Sequence, residues 1–178
     1  MRGVAAICII LSCGQAWSQQ RRASQGSVSF FAAAPIEDIA AINRSPVVFF
    51  DLATGAISGR LAIANFEFKR PLMKTHFNEK YMESEEFPEA IFQGWVKGYK
   101  NAGAAQRVMV VGALTIHGKT REVEIPAVLD INGDRIALSA IFVVRLADHA
   151  IKPPRMFWRN IAEEVEVKAD LTFLLVGN

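Results

Sequence analysis

Three histidines, at 76, 117 and 149, and the carboxylates Glu83, Glu85, Glu86 and Glu89 are the residues with the widest chemical reach in this chain. A histidine acts as a general base or a metal ligand when a second group is held beside it. None of the three has such a partner at helical or strand spacing. The chain also carries no HExxH, no GxSxG and no Gly-rich phosphate loop. The carboxylates match no EF-hand spacing and lack its central glycine, so they read as a solvated turn. His117 lies in an "IHGK" hairpin turn, where a structural role fits, and His76 borders an apolar stripe. No catalytic residue, metal site or cofactor is expected.

That stripe belongs to residues 72–92, "LMKTHFNEKYMESEEFPEAIF". Pro71 suits the first turn of a helix, because its ring fixes φ at a helical value. Met73, Phe77 and Tyr81 then recur every four residues, opposite Lys74, Thr75, Asn78 and Glu79. Pro88 biases Phe87 toward extended backbone, so the helix ends before it and a strand starts near Ala90. The pattern predicts a short amphipathic helix laid over something apolar, as a lid. Phe66 and Phe68 end a preceding strand on one face, and with Phe92 they are expected to line the mouth beneath that lid. The candidate ligand-binding set is therefore Phe66, Phe68, Met73, His76, Phe77, Tyr81 and Phe92.

The elements that must position this set are nearly all strands. Runs at 28–34, 46–52, 56–68, 90–99, 107–116, 121–131, 135–146 and 164–176 are rich in β-branched and aromatic residues. "ATG", "HGK" and "NGD" punctuate them as tight turns, with Gly55, Gly118 and Gly133 accepting positive φ. Residues 35–43, "PIEDIAAIN", space Ile36, Ile39 and Ala40 as a short helix would. Neighbouring strands joined by short connections predict an all-β, eight-stranded antiparallel barrel with one or two short helices. Several strands are apolar on both alternations: Val108, Val110 and Leu114 oppose Met109, Val111 and Ala113. Either helices and a neighbouring subunit cover the outside, or the interior is an apolar cavity while the outside also packs. Gly59, Gly94, Gly98 and Gly112 leave room for a bend or for a guest.

The N-terminus is a separate object. Arg2, the apolar run Val4–Cys13 and the small residues Ala16 and Ser18 follow the order of a secretory signal, residues 1–18, with cleavage before Gln19. The run is far shorter than the roughly 20 residues that span a bilayer. A lipoprotein signal ending at Cys13 is the rival reading. Both cysteines, at 8 and 13, fall within the signal, which excludes thiol chemistry from an exported product. Residues 19–27, "QQRRASQGS", read as a flexible leader, with the barrel domain at 28–178. A net charge of +2 in 178 residues, with no basic run, gives no electrostatic case for nucleic acid. No transmembrane segment is expected.

Two blocks carry a family resemblance. His76-Phe77-Asn78, Tyr81-Met82-Glu83-Ser84, Phe87-Pro88 and Phe92 with Gly94 resemble the central motif of the YceI-like family, and "GALTIHGKTREVEIP" (112–126) resembles its G-x-L-T-I-x-G-x-T hairpin. The family's usual Trp-x-x-Asp opening followed by His-Ser is absent here. The resemblance implies a lipocalin-like barrel exported to the periplasm. It also implies an elongated apolar cavity holding a long-chain amphiphile, a polyisoprenoid or a fatty-acid derivative, as the ligand. A homodimer is compatible with it. Two other classes remain open: a lipid-modifying enzyme with His76 or His117 as general base, and a structural barrel with a filled core.

Overall fold

The computed structural model describes residues 20–33, 38–100, 103–152 and 163–174; the signal region 1–18 and both cysteines lie outside them. In chain order come β1 (Gln20–Ala32), β2 (Ile39–Asn43), β3 (Val47–Asp51), β4 (Ala56–Ala62), β5 (Glu67–Phe68) and α1 (Pro71–His76). They are followed by β6 (Glu89–Lys97), β7 (Gln106–Ile116), β8 (Lys119–Asn132), β9 (Arg135–Arg145) and β10 (Glu164–Leu174). Hydrogen bonding runs β10-β9-β8-β7-β6-β4-β3-β1, and β1 pairs back onto β10, closing an antiparallel barrel of eight strands. β1 serves two neighbours on its other edge. Gln20–Arg22 pair with β3, whereas Val28–Ala32 pair with β2, which carries the short β5 beyond the ring.

Two expectations need correction here. Residues 20–27 are not a loose leader but the start of β1, paired with β10 from Ala23 onward, with a bulge between Ala23 and Gln25. The backbone ladder on both edges holds these residues, so strand order does not require apolar side chains. Residues 39–43 are likewise β2 and not a helix, although Pro35 and Ile36 lie outside the described residues. Asn43 is fully buried there, and its polar groups are satisfied. Its amide donates to the Ala62 carbonyl at 2.8 Å, and its Oδ1 accepts from the Ser45 amide at 2.9 Å.

The β7–β8 hairpin turns on His117 and Gly118, with φ of 50° and 66°, the paired positive values of a type I′ turn. Glycine accepts such a φ freely; the His117 side chain earns its place through the contacts described below. Two other glycines, Gly94 and Gly112, face each other across β6 and β7. A Cβ on either would run into the opposite backbone, so this pair makes a close crossing of the strands, not room for a guest.

Side chains alternate cleanly across the wall. On β9, Ile136, Leu138, Ala140, Phe142 and Val144 face inward. Ile141 and Val143 face out, and they stay 55% and 56% exposed. No element among the described residues covers that apolar outer face. At one end the barrel is packed solid: Phe50, Leu129, Ile136 and Phe173 are fully buried, with the Phe50 and Phe173 rings 5.7 Å apart. The Tyr99 hydroxyl closes this floor by donating to the Leu52 carbonyl at 2.7 Å. Burial, and then the charge of Asp51, push the Tyr99 phenol up, which keeps the donating proton in place.

Candidate functional site

The other end is hollow. A cavity of about 400 Å³ runs from the middle of the barrel to α1, within the range of roughly 300–1,000 Å³ usual for small-molecule sites. Its wall is built by the inward alternation of the strands: Val48 and Ile57, Val110 and Leu114, Phe142, Val167. Small side chains create the space. Ala140 on β9 and Ala169 on β10 are direct register partners, and both border the void, as does Gly59 on β4. Among the described residues of the lining, Arg60, Arg70, His76 and Tyr81 are the polar ones, against about thirty apolar ones.

The wall also parts. β8 and β9 are paired only from Ala127 and Ala140 toward their hairpin. Beyond Ala127 the next residue on β8 is Pro126, which has no N–H to give to a neighbour. From there β8 stays with β7, β9 stays with β10, and the barrel flares toward the mouth. A single turn at Leu146–His149 ties the far end back, because His149 Nδ1 donates to the Lys119 carbonyl at 3.0 Å. Ile151 after that turn packs with Ile63 and Met82 into a second, smaller apolar cluster at the mouth.

Over the mouth lies the expected helix. α1 covers Pro71–His76 and passes into a π turn at Phe77–Tyr81, marked by the Met82 amide donating to the Phe77 carbonyl at 2.9 Å. This turn explains the four-residue stripe. In a regular helix of 3.6 residues per turn, a repeat of four drifts steadily around the axis. The wider π turn rotates Tyr81 back, so Met73, Phe77 and Tyr81 all border the cavity. Phe77 is also the anchor. It stacks on Phe30 at 5.4 Å and meets Phe66 at 5.5 Å and Phe68 at 5.0 Å. Burial pushes the Tyr81 phenol up, so its O–H stays intact as a donor.

Of the seven candidate residues, Phe66, Met73, His76, Phe77, Tyr81 and Phe92 border the cavity together. Phe68 does not; it sits behind, against Phe30 and Phe77, and supports the lid from outside. The sequence reading missed Phe30 and Phe142 in the wall and Arg60 and Arg70 at the rim. β9 is apolar on both alternations around Phe142, so no local pattern marked its inward face, and the two arginines had no signal either.

His117 is elsewhere. Its Nδ1 donates to the His149 carbonyl at 3.2 Å, its Nε2 lies 2.9 Å from a Glu83 carboxylate oxygen, and its ring is 4.4 Å from that of Phe87. It ties the hairpin, the turn after the lid and the Leu146–His149 turn together. Both nitrogens face these partners, and His117 is not among the described residues that line the cavity. Glu89 turns to Arg60 instead, and among the described residues no three His, Cys, Asp or Glu converge as metal ligands. Nor is any described helix long and apolar enough to cross a membrane.

A YceI-like domain model matches residues 23–173. The chain belongs to the YceI-like family. The match opens inside β1, in agreement with the strand that replaces the expected leader. Among solved structures, a polyisoprenoid binding domain from Saccharophagus degradans implicated in plant cell wall breakdown superimposes with a TM-score of 0.76 at 12% identity, over 88% of this chain and 98% of that one. BcnA of Burkholderia cenocepacia gives 0.69 at 20% identity, covering 83% and 95%. The YceI protein of Campylobacter jejuni gives 0.56 at 15%, covering 72% and 78%. At these identities the likeness is one of fold. No curated protein matches in sequence.

Proposed function

We propose that this YceI-like barrel is a periplasmic carrier for a long-chain amphiphile, a polyisoprenoid or fatty-acid derivative, held in the hollow end, and that it binds this ligand without altering it. The carrying observation is the cavity itself. An apolar void of about 400 Å³ in a barrel whose other end is solidly packed is the volume a hydrocarbon chain would fill. Each methylene moved there from water contributes about 0.8 kcal/mol, so ten of them supply strong binding without elaborate polar recognition. The lining favours binding over chemistry, since the described residues that share it with His76 include no Ser, Thr, Cys, Asp or Glu. The filled-barrel reading conflicts with the void. Export rests on the order of charged, apolar and small residues in 1–18, and the similarity to a polyisoprenoid binding domain supports the ligand class.

The test is organic extraction of protein purified from the periplasmic fraction without detergent, followed by mass spectrometry. A stoichiometric long-chain species on a chain that begins at Gln19 is expected. Protein free of lipid, and unable to take up a fluorescent fatty acid, would overturn the carrier reading. A diacylglyceryl group on Cys13 would overturn the export route while leaving the cavity's role intact.

A further inference from the structure

The outer wall of the barrel carries an apolar face with opposite charge on its two halves. Trp95, Met109, Val128, Ile141 and Val143 stand on the outward alternation of β6 to β9, and all five are exposed. Register makes them neighbours. Trp95 is opposite Val111, Met109 is opposite Pro126, and Val128 is opposite Ser139. Ala127 pairs with Ala140, which sets Pro126 and Val128 beside Ile141. Toward the floor the face is edged by Lys97, Arg107 and Lys168, and toward the mouth by Glu122, Glu124 and Glu166, all six exposed. Lys168 reaches Asp170 at 2.9 Å and Arg145 reaches Glu164 at 3.1 Å, and neither pair alters this division. We infer that two copies of this chain pair through this face, related by a two-fold axis that crosses the strands between Ile141 and Val143.

Exposed apolar side chains gathered in one place gain by being covered, and a second copy covers them with an identical patch. An axis across the strands turns that copy end for end. Ile141 of each copy then meets Val143 of the other at the centre, Lys168 faces Glu166 of the second copy, and Arg107 comes beside its Glu122. Each contact occurs twice, and each positive half lies on a negative one. Were the axis to run along the strands, like charges would meet instead. A bilayer is a poorer occupant, because an anionic surface that attracts the two lysines and the arginine repels the three glutamates. End-for-end packing also points the two mouths in opposite directions. The lid stays outside the interface, since Phe77 packs on Phe30 of β1 and Phe68 of β5, away from this face.

Sedimentation equilibrium of the purified protein measures the pairing. The wild type is expected at twice the mass of one chain at micromolar concentration, and high salt should weaken the pair. Ile141→Asp/Val143→Asp changes only the outer surface, so circular dichroism should show an intact barrel. Its dissociation constant should rise at least about tenfold, because unpaired charge enters the centre of the contact. Arg107→Glu/Lys168→Glu makes the face largely acidic, and Glu122→Lys/Glu166→Lys makes it largely basic. Each of these should be monomeric alone, and a mixture of the two should recover the mass of a pair. A wild type that stays monomeric overturns the inference. So does an Ile141→Asp/Val143→Asp protein that pairs as tightly as wild type, or a pair of charge variants that fails to recover on mixing. Monomeric wild type that floats with phosphatidylglycerol vesicles also overturns it, and gives the face to a membrane.

Discussion

Phe173 and Val165 stand on the same strand and face the same interior, yet Phe173 is fully enclosed and Val165 borders empty space. The change happens along β10 itself. Leu171 and Phe173 pack in the floor, while Ala169, Val167 and Val165 on the same inward alternation are only half-buried. On β9 the contrast recurs: Ile136 and Leu138 are buried in the floor, Ala140 and Phe142 are half-buried beside the void, and Val144 is buried again beyond them. Apolar residues alone therefore do not decide whether a barrel fills. Volume does. Phe50, Leu129, Ile136 and Phe173 meet across the floor, whereas Gly59, Ala140 and Ala169 fail to meet across the middle. Side chains in the floor have partners on every side; those in the hollow give up dispersion contacts that a guest restores.

The two ends should respond oppositely to mutation. The largest expected effect is in the floor. Phe173→Ala leaves a sealed cavity between Phe50 and its neighbours and should cost about 3–5 kcal/mol. Urea titration of the delipidated protein measures it. A cost below about 1 kcal/mol would mean that the floor is as loose as the mouth, and the contrast would collapse.

The lid comes next. Phe77→Asp places a carboxylate amid Phe30, Phe66 and Phe68. It should cost several kcal/mol if the charge stays buried, and less if the helix lifts away. Release of a fluorescent lipid should accelerate at least tenfold, with the sheet intact by circular dichroism. Unchanged release from a folded barrel would show that the lid does not gate the cavity.

How far these ends were legible from the sequence follows from where the information is stored. The strands, their neighbour order and the lid stripe were written in local patterns: alternation, hairpin glycines, and apolar residues four apart. β1 was cut short at Val28 because Arg22, Ser24 and Gln25 carry no apolar alternation; the ladders to β10 and β3 hold this stretch in place, with the Ser24 hydroxyl donating to the Thr172 carbonyl. β2 was misread because Ile36, Ile39 and Ala40 fit a helical period, while burial of Ala41 and Asn43 on one face of a strand is a tertiary fact. Met109 and Ile141 looked as ready to face inward as Val110 and Phe142. Closure of the ring, a long-range event, sorted them. The tie from His117 to Glu83 spans 34 positions and was likewise invisible.

A third change probes the wall of the hollow. Phe142 is large and inward-facing but only half-buried, and it already borders the void. Phe142→Ala loses part of a transfer term without sealing a new cavity, so about 1 kcal/mol is expected, well below Phe173→Ala. Chemical denaturation of both variants in the delipidated state gives the ratio directly. Equal costs would mean that the hollow closes around its wall in the absence of a guest.

The smallest effect on stability should carry the clearest message about function. Ala127 and Ala169 are both inward-facing alanines, each in register with Ala140. Ala127 belongs to the packed core, and adding three carbons there in Ala127→Leu overfills it, at about 1–3 kcal/mol. Ala169 borders the void, so Ala169→Leu puts the same atoms into empty space. Its cost should lie within about 0.5 kcal/mol of zero, because the new methyl groups gain the contacts that the cavity lacked. The leucine then occupies volume that the chain of the amphiphile needs. Lipid recovered by extraction should drop several-fold, and the affinity for palmitate should fall with it, while the urea midpoint of the delipidated protein stays put. If Ala169→Leu instead destabilised as much as Ala127→Leu and retained its full lipid content, the space beside Ala169 would be closed in solution. The ligand would then have to lie nearer the lid, against Met73 and Tyr81.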